Sequence, residues 1–401
     1  MTTPIKTTFV QESQNYSAEV YIDGKPVPYK NIMSLTVKEY IYSILPRVEI
    51  TFLDSGIFVE HNPILEGQVI QVLLSNNGEE INLLNQTFMV LNSSITVIDK
   101  TNSSFLITVS GAFNRPGLFN KIHNKSYPSK TFSDVIKDVA DANSLDHDVR
   151  IESKDKMNWY QLNQTYADFI NTSIYRSYVN DDDSPFTFIN RKGVLVYTSL
   201  KTAAKNKSAI IFSNDSDMAT SPFGNATNER YFSSYTFSDN SGFNNNLNGG
   251  SGIKVSYYDG NKFITNEIKK VPSSEMTPYK NKLNINHNKL VNNAVGFGQL
   301  NNVYDSYFNS LATNDLVRKA LLSTSLSINA HAGDYNLLDK INIEIKKDGN
   351  LLAAQSGDYL VGGIIHNINK NSRYNQMLIC FRDGFGNANS TTAFKNPLRE
   401  N

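Results

Sequence analysis

Cysteine is nearly absent: Cys380 is the only one in 401 residues. That excludes an intrachain disulfide and a thiolate zinc cluster, and it fits a reducing or redox-indifferent setting for synthesis. Neither charge is in excess, since 38 Lys and Arg balance 38 Asp and Glu. A general nucleic-acid binder would carry a basic surplus. No apolar run approaches the ~20 residues that a membrane-spanning helix needs, so membrane insertion is not expected. Residues 1–10 are polar and lack the basic-then-apolar order of a secretory signal. Tryptophan is scarce too: Trp159 stands alone, as core packing or as an interface anchor, with core the stronger reading.

The chain is not poor in apolar residues. At 40% hydrophobic and 11% aromatic it can build real cores, which argues against wholesale disorder. At ~150 residues per domain the length implies about two to four domains.

The first stretch alternates with a period of two. Val48, Ile50 and Phe52 are followed by a turn signal at Asp54-Ser55-Gly56. Ile70, Val72 and Leu74 are closed by Asn76-Asn77-Gly78, and further alternation covers 95–97 and 105–109. Such runs bounded by Gly and Asn predict half-buried antiparallel strands. Tyr21, Phe52 and Phe88 are expected in their core, and Gly56, Gly67 and Gly349 in turns. After Gly111 the period changes. Phe132, Val135, Ile136, Val139 and Ala140 have helical spacing behind a Thr131 cap, with Asp134 at the capping-box position. Thr165 and Asp168 repeat the device ahead of Tyr166, Phe169, Ile170 and Ile174. Pro185 and Gly193 frame two short strands near 187–189 and 194–197. Strands resume near 210–212 and 231–237. Residues 238–252 are rich in Asn, Gly and Ser and read as a linker. Residues 253–300 are weakly patterned, and a helical stripe starts at Val303 and continues to about residue 320. Ile341, Ile343 and Ile345 begin a further set of strands, which continues over 359–368 and 377–382.

Those late strands echo the early ones. Ile70, Val72, Leu74, Gly78, Phe88 and Val90 recur as Ile341, Ile343, Ile345, Gly349, Tyr359 and Val361, each 271 positions later. The same offset carries Val97 onto Ile368 and Ile107 onto Leu378. Two ordinary hairpins would look alike to this extent, and so would two related β-barrels. The barrel reading is carried forward because a missed repeat mis-assigns the whole architecture.

No catalytic constellation emerges. His61, His123, His147, His287, His331 and His366 are scattered and form no helical pair with a carboxylate. Asp146-His147-Asp148 is the best metal candidate, but adjacent strand residues point to opposite faces, so a solvated loop is the favoured reading. Asp181-Asp182-Asp183 lacks the spacing of a calcium loop and reads as a charged surface turn. Gly296-Phe297-Gly298 and Gly384-Phe385-Gly386 fit no phosphate fingerprint and read as turns. Lys201, Lys205 and Lys207, and the lesser Lys269-Lys270 pair, read as solvated faces rather than a phosphate-tracking patch. No catalytic, cofactor or metal residue is therefore assigned.

The chain resembles the baseplate central hub proteins of contractile-tailed bacteriophages, relatives of the hub part of type VI secretion spike proteins. The resemblance rests on Val48-Glu49-Ile50-Thr51-Phe52-Leu53-Asp54-Ser55 followed by Glu66-Gly67-Gln68-Val69-Ile70-Gln71-Val72. It rests further on the helical segments 131–145 and 159–178. Its last part is Asp334-Tyr335-Asn336-Leu337, the strands that follow, and Arg382-Asp383-Gly384. Residues 238–300 match no part of the family pattern. The resemblance implies a mainly β fold with α+β insertions: two tube-like antiparallel β-barrels plus smaller inserted domains. Residues 1–111 would be the first barrel, 112–202 a small α+β domain, and 203–250 with 313–386 the second barrel. Residues 251–312 would be an inserted domain with a helix, and 387–401 a loose tail. Three chains would form a ring of six barrels, adapting a six-fold tail tube to a three-fold central spike, with DNA passing through without specific binding. The implied partners are two further copies, the spike, a tube or tube-initiator protein and surrounding baseplate proteins. The implied location is the virion tail baseplate, assembled in the host cytoplasm. The chain ends without a β-helical needle, which favours a separate spike subunit. No enzyme activity and no cofactor are implied. The competing readings are a tail-associated peptidoglycan or glycan hydrolase and a tail-tip host glycan-binding protein.

Overall fold

The structure is a computed structural model. It describes residues 8–11, 14–76, 81–99, 104–180, 183–208, 210–214, 229–239, 252–259, 262–268, 290–294, 310, 314, 318, 322, 324–330, 333–369 and 374–383. Lys269-Lys270, both Gly-Phe-Gly sequences, residues 387–401, most of the Asn-rich stretch and most of the helical stripe after Val303 lie outside these. Within that stripe Ser310, Asn314 and Arg318 are helical.

The early alternating runs do form strands. They are β1 (Thr8–Gln11), β2 (Gln14–Ile22), β3 (Lys25–Pro26), β4 (Ile32–Tyr40), β5 (Arg47–Asp54), β6 (Val69–Asn76), β7 (Ile81–Asp99) and β8 (Ser104–Phe113). Their main sheet runs β2-β6-β7-β8-β5-β4, antiparallel throughout. Period two sends Val48, Ile50, Phe52, Ile70, Val72, Phe88, Ile107 and Val109 into one core. Tyr21 is not among them: it lies half-buried on the other face of β2, and its hydroxyl donates to the Glu19 carboxylate at 2.7 Å. Its neighbours Val20 and Ile22 hold the inward positions. The turn after β5 leads into a short helix, α1 (Ile57–His61). Gly56 supplies a φ of +92°, and the Asp54 carboxylate accepts the Phe58 and Val59 amides at 3.2 and 3.1 Å.

Residues 116–204 hold more strand than their sequence pattern predicts. They comprise α2 (Pro116–Phe119), β9 (His123–Lys130), α3 (Phe132–Ala142), β10 (His147–Val149) and β11 (Met157–Gln164). They continue with α4 (Tyr166–Ser173), β12 (Pro185–Ile189), β13 (Leu195–Ser199) and α5 (Leu200–Ala204). β9 and β11 form a two-stranded ribbon with few inward residues, which is why no apolar alternation announced them. Both threonine caps form. Thr131 and Thr165 accept the Asp134 and Asp168 amides at 3.3 and 3.1 Å. Their hydroxyls donate to the same aspartates' carboxylates, so neither is the reciprocal box, in which the carboxylate takes the cap residue's own amide. Trp159 is core: it packs on Phe132 and donates to the Lys130 carbonyl at 3.0 Å. It sits in β11, a strand the spacing did not show.

The late half adds β14 (Ile210–Ser213), β15 (Glu229–Asp239), β16 (Gly252–Asp259), β17 (Lys262–Ile268) and β18 (Leu290–Ala294). It ends with β19 (Thr324–Ala330), β20 (Lys340–Glu344), β21 (Lys346–Lys347), β22 (Asn350–Leu351), β23 (Gly357–Asn369) and β24 (Tyr374–Arg382). β16, β17 and β18 make a separate three-stranded sheet where the sequence was weakly patterned. β14, β20, β23, β24, β19 and β15 close on themselves as a six-stranded barrel. All its pairings are antiparallel except those of β14, which runs parallel to both neighbours. Arg382 is fully buried in this half. It donates to the Ser356 and Ala354 carbonyls at 2.9 and 2.5 Å and covers the Tyr359 ring.

The two halves share one strand order. β2-β6-β7-β8-β5-β4 and β14-β20-β23-β24-β19-β15 visit their strands in the same chain sequence. Ile70 opposes Phe88 and Val72 opposes Gln86; Ile341 opposes Tyr359 and Ile343 opposes Gly357. These are the pairs that the 271-residue offset requires. β-Bulges recur as well, between Val90 and Asn92 and again between Val361 and Gly363. A second matched pair lies between Ile32 and Ser34 and between Phe232 and Tyr235. The last strand departs from the offset. Ile95 faces Ile107 while His366 faces Gln376, so the counterpart of Ile107 is Gln376, not Leu378. The slip of two residues is already present where Val90 faces Gly111 and Val361 faces Cys380, and, being even, it keeps the same face inward. If Phe88 is core and Tyr21 is not, Phe88→Ala should cost about 3–5 kcal/mol in denaturant unfolding. Tyr21→Phe should cost less than about 1 kcal/mol. Equal losses would contradict the assignment.

Candidate functional site

Among the described residues, no group of three or more His, Cys, Asp or Glu side chains converges on a metal-sized site. The sequence candidates are dispersed. His147 and Asp148 lie on β10 rather than in a loop, with Asp148 accepting from Arg150 at 2.8 Å. Asp183 is no surface turn: it is buried, and its carboxylate accepts the Ser184 and Lys201 amides at 2.8 and 3.1 Å. It therefore anchors the start of α5, and burial raises its pKa. Lys205 and Lys207 are exposed beyond the end of α5, where they make a solvated face.

The feature that organises the molecule is the seam between its halves. β4 pairs with β5 on one edge and with β23 on the other. β23 is long enough to serve both barrels. Its residues 357–360 pair with β20, and 363–369 pair with β4 from Gly363↔Tyr40 to Asn369↔Ser34. A glycine pair permits the crossover. A Cβ on Gly362 would lie 2.2 Å from the Phe381 ring, and one on Gly363 would lie 2.7 Å from the Tyr40 ring. Beyond the crossover, Ile368 and Tyr374 join the core of the first barrel.

The seam also contains a buried polar group. His366 is enclosed, with Nδ1 2.7 Å from the Tyr374 hydroxyl and Nε2 3.7 Å from a Glu39 carboxylate oxygen. Glu39 is itself buried. Burial holds the His366 pKa below the usual imidazole value, while Glu39 pulls the other way. A second buried cation ties three parts of the chain together. Arg191, in the β12–β13 turn, donates to the Leu83 carbonyl of β7 at 3.3 Å and to the Asp334 carboxylate at 3.0 Å. It also donates to the Tyr335 carbonyl. The small domain is thus locked against both barrels. On its other side Arg318 donates to the Pro185 carbonyl at 2.6 Å and lies over the Tyr175 and Phe186 rings, while Asn314 donates to the Ser177 carbonyl at 2.6 Å.

No protein-family model matches the chain, and no curated protein does. Solved structures do. A 43 kDa tail protein of prophage MuSo2 from Shewanella oneidensis aligns with a TM-score of 0.59 at 10% identity, over 92% of this chain and 99% of that one. A tail protein from Neisseria meningitidis MC58 gives 0.58 at 11% identity, over 92% and 98%. The fold is that of these tail proteins. A PdpA–VgrG complex contains a chain of similar fold, with a TM-score of 0.50 at 13% identity, over 93% of this chain and 65% of that one. The resemblance read from the sequence thus holds at the level of architecture.

The seam could not be read residue by residue. No local pattern marks β4 as the partner of β23. His366 was seen only as one of six scattered histidines. Its role follows from the repeat, because it stands where β7 carries Ile95. The seam carries a pH signature. Unfolded, His366 titrates near ~6.5; folded, it titrates lower, so the unfolded state takes up the proton first as pH falls. Its contribution is complete above the unfolded value and is lost as pH drops from there towards the folded value. His366→Gln should therefore flatten the fall in Tm between pH 7 and 5; an unchanged slope would show that the imidazole is not responsible. Gly363→Val should lower Tm at every pH by driving Tyr40 out of the seam, and an unaltered Tm would refute the close approach.

Proposed function

We propose that this chain is a structural hub of a contractile phage tail baseplate, without enzymatic activity. Three copies form a ring that adapts a six-fold tail tube to a three-fold central spike and lines part of the DNA channel. The observation that carries this reading is the duplication. Two six-stranded sets with one strand order are fused through a shared strand, so three chains would present six related barrel units. A single-barrel subunit would have to form a hexamer to meet a hexameric tube. Fusion in pairs keeps that match on one side and offers three-fold symmetry on the other.

The partners follow from this geometry. The barrels face a tube or tube-initiator protein on one side and a spike on the other. The small domain and the β16–β18 sheet, placed outside the barrel order, would meet neighbouring baseplate proteins. The likeness to tail proteins supports a location in the virion tail. The balance of 38 basic and 38 acidic residues suits a channel through which DNA must slide rather than bind.

Light scattering coupled to size exclusion should give a mass of three chains, for the protein alone or with its spike. A species that remains monomeric at all concentrations and with every tail protein of its virus would refute the hub. A blank result in a cell-wall degradation assay is expected, and release of glycan or peptide fragments would overturn the non-enzymatic reading.

A further inference from the structure

β23 spends its first residues on its own barrel and its last ones on β4. β7, its counterpart, spends its first residues on β6, but its later ones have no such partner. Among the described residues, 92–98 lie against β8 on one edge and against no strand on the other. Ser93 is half-buried and its hydroxyl donates to the Ile64 carbonyl at 3.1 Å, but residues 94–98 are exposed, Ile95 and Val97 at 53% and 52%. Their counterparts His366 and Ile368 are buried, because β4 covers them. An exposed apolar strand with a free edge is a template for pairing with another chain.

The strand that would cover it can be identified by following the repeat. Val90, Gly111, Val48 and Val37 lie in register across β7, β8, β5 and β4. Val361, Cys380, Leu326 and Phe237 lie in register across β23, β24, β19 and β15. β15 is therefore the counterpart of β4. Among the described residues, its edge away from β19 is taken by β14 over residues 229–231 and by no strand beyond them. Beyond them, Ser233, Ser234, Tyr235 and Thr236 are exposed, Tyr235 by 38%.

From these two open edges we infer that residues 94–98 of one copy pair antiparallel with residues 234–238 of a second copy. The intermolecular seam then has the register of the internal one. Transferring Ile368↔Leu35, Asn367↔Thr36 and His366↔Val37 places Val97 opposite Tyr235, Thr96 opposite Thr236 and Ile95 opposite Phe237. Nothing in the transfer chose residue types, yet aliphatic meets aromatic twice and threonine meets threonine. Such cross-strand pairs favour sheets. In the internal seam Thr36 and Asn367 already bond side chain to side chain, at 3.4 Å. The contact is head-to-tail: β7 of each copy meets β15 of the next, so it repeats from copy to copy instead of ending as a dimer, and the ring proposed above is its closed form.

This inference rests on the ring proposed above and names the edge that builds it. The test is a pair of exposed cysteines, Thr96→Cys with Thr236→Cys, in the full chain. The native Cys380 is buried and gives no background. Mild oxidation should produce a covalent ladder of chains on a non-reducing gel, absent from either single variant. Thr36→Cys with Asn367→Cys should give an intrachain bond without a ladder, as the internal control. Ile95→Lys with Val97→Lys should shift the light-scattering mass to that of one chain at an unchanged Tm. A ring by light scattering without a ladder would overturn this edge and leave the ring standing. No ring and no ladder would overturn both. A ladder from one single variant would indicate a self-complementary contact and overturn the head-to-tail pairing.

Discussion

The pairing of β4 with β23 is the constraint on which the rest of the architecture depends. A strand has two edges, and a barrel uses both of each strand. By giving its outer edge to β23, β4 leaves the first barrel without closure between β4 and β2 among the described strands. The missing wall is supplied from the other half, through Ile368 and Tyr374. The first half therefore cannot complete its core without the second. Fusion is not a tether between two independent barrels, and one sheet runs through both.

That dependence explains where the buried polar groups sit. Unpaired charge inside a protein costs several kcal/mol, so it survives only where geometry satisfies it. Arg191 finds carbonyls from β7 and from the loop before β20, which places it where small domain, first barrel and second barrel meet. His366 and Glu39 lie on the two strands of the seam itself. Apolar residues would hold these surfaces together in many alignments. A guanidinium that must meet two particular carbonyls, and an imidazole that must meet Tyr374, tolerate one.

Much of this was legible in the sequence, for physical reasons that also explain what was not. Period two around Val48, Ile70 and Ile341 reports a strand with one wet face, and those strands were found. The offset between Ile70 and Ile341 reports a shared pleat and turn, and the pairings obey it. β9 and β11 gave no signal because ribbon residues such as Tyr160 and Leu162 stay exposed while polar Gln161 is buried. β19 alternates too, through Leu326, Ile328 and Ala330, but directly after a helical stripe, which masks its period. Asp183 looked like surface because a run of three aspartates normally is; only the fold shows two amides aimed at one of them. Which strand edges meet is a tertiary fact, and no local pattern encodes it.

The internal seam and the one inferred between chains need not be chemically alike, and their differences would follow from the tether. Within the chain, β4 and β23 meet at high effective concentration, so the seam can carry a buried histidine and carboxylate that add little net stability. Between chains, association must also offset lost translational and rotational freedom. There the counterpart of His366 is Ile95, and Val97 holds the position of Ile368. Each such side chain contributes about 1.5–3 kcal/mol when fully covered. If the inferred contact forms, duplication leaves one copy of it specific and the other adhesive. A ring of identical single barrels could not separate the two demands, because each contact would have to serve both.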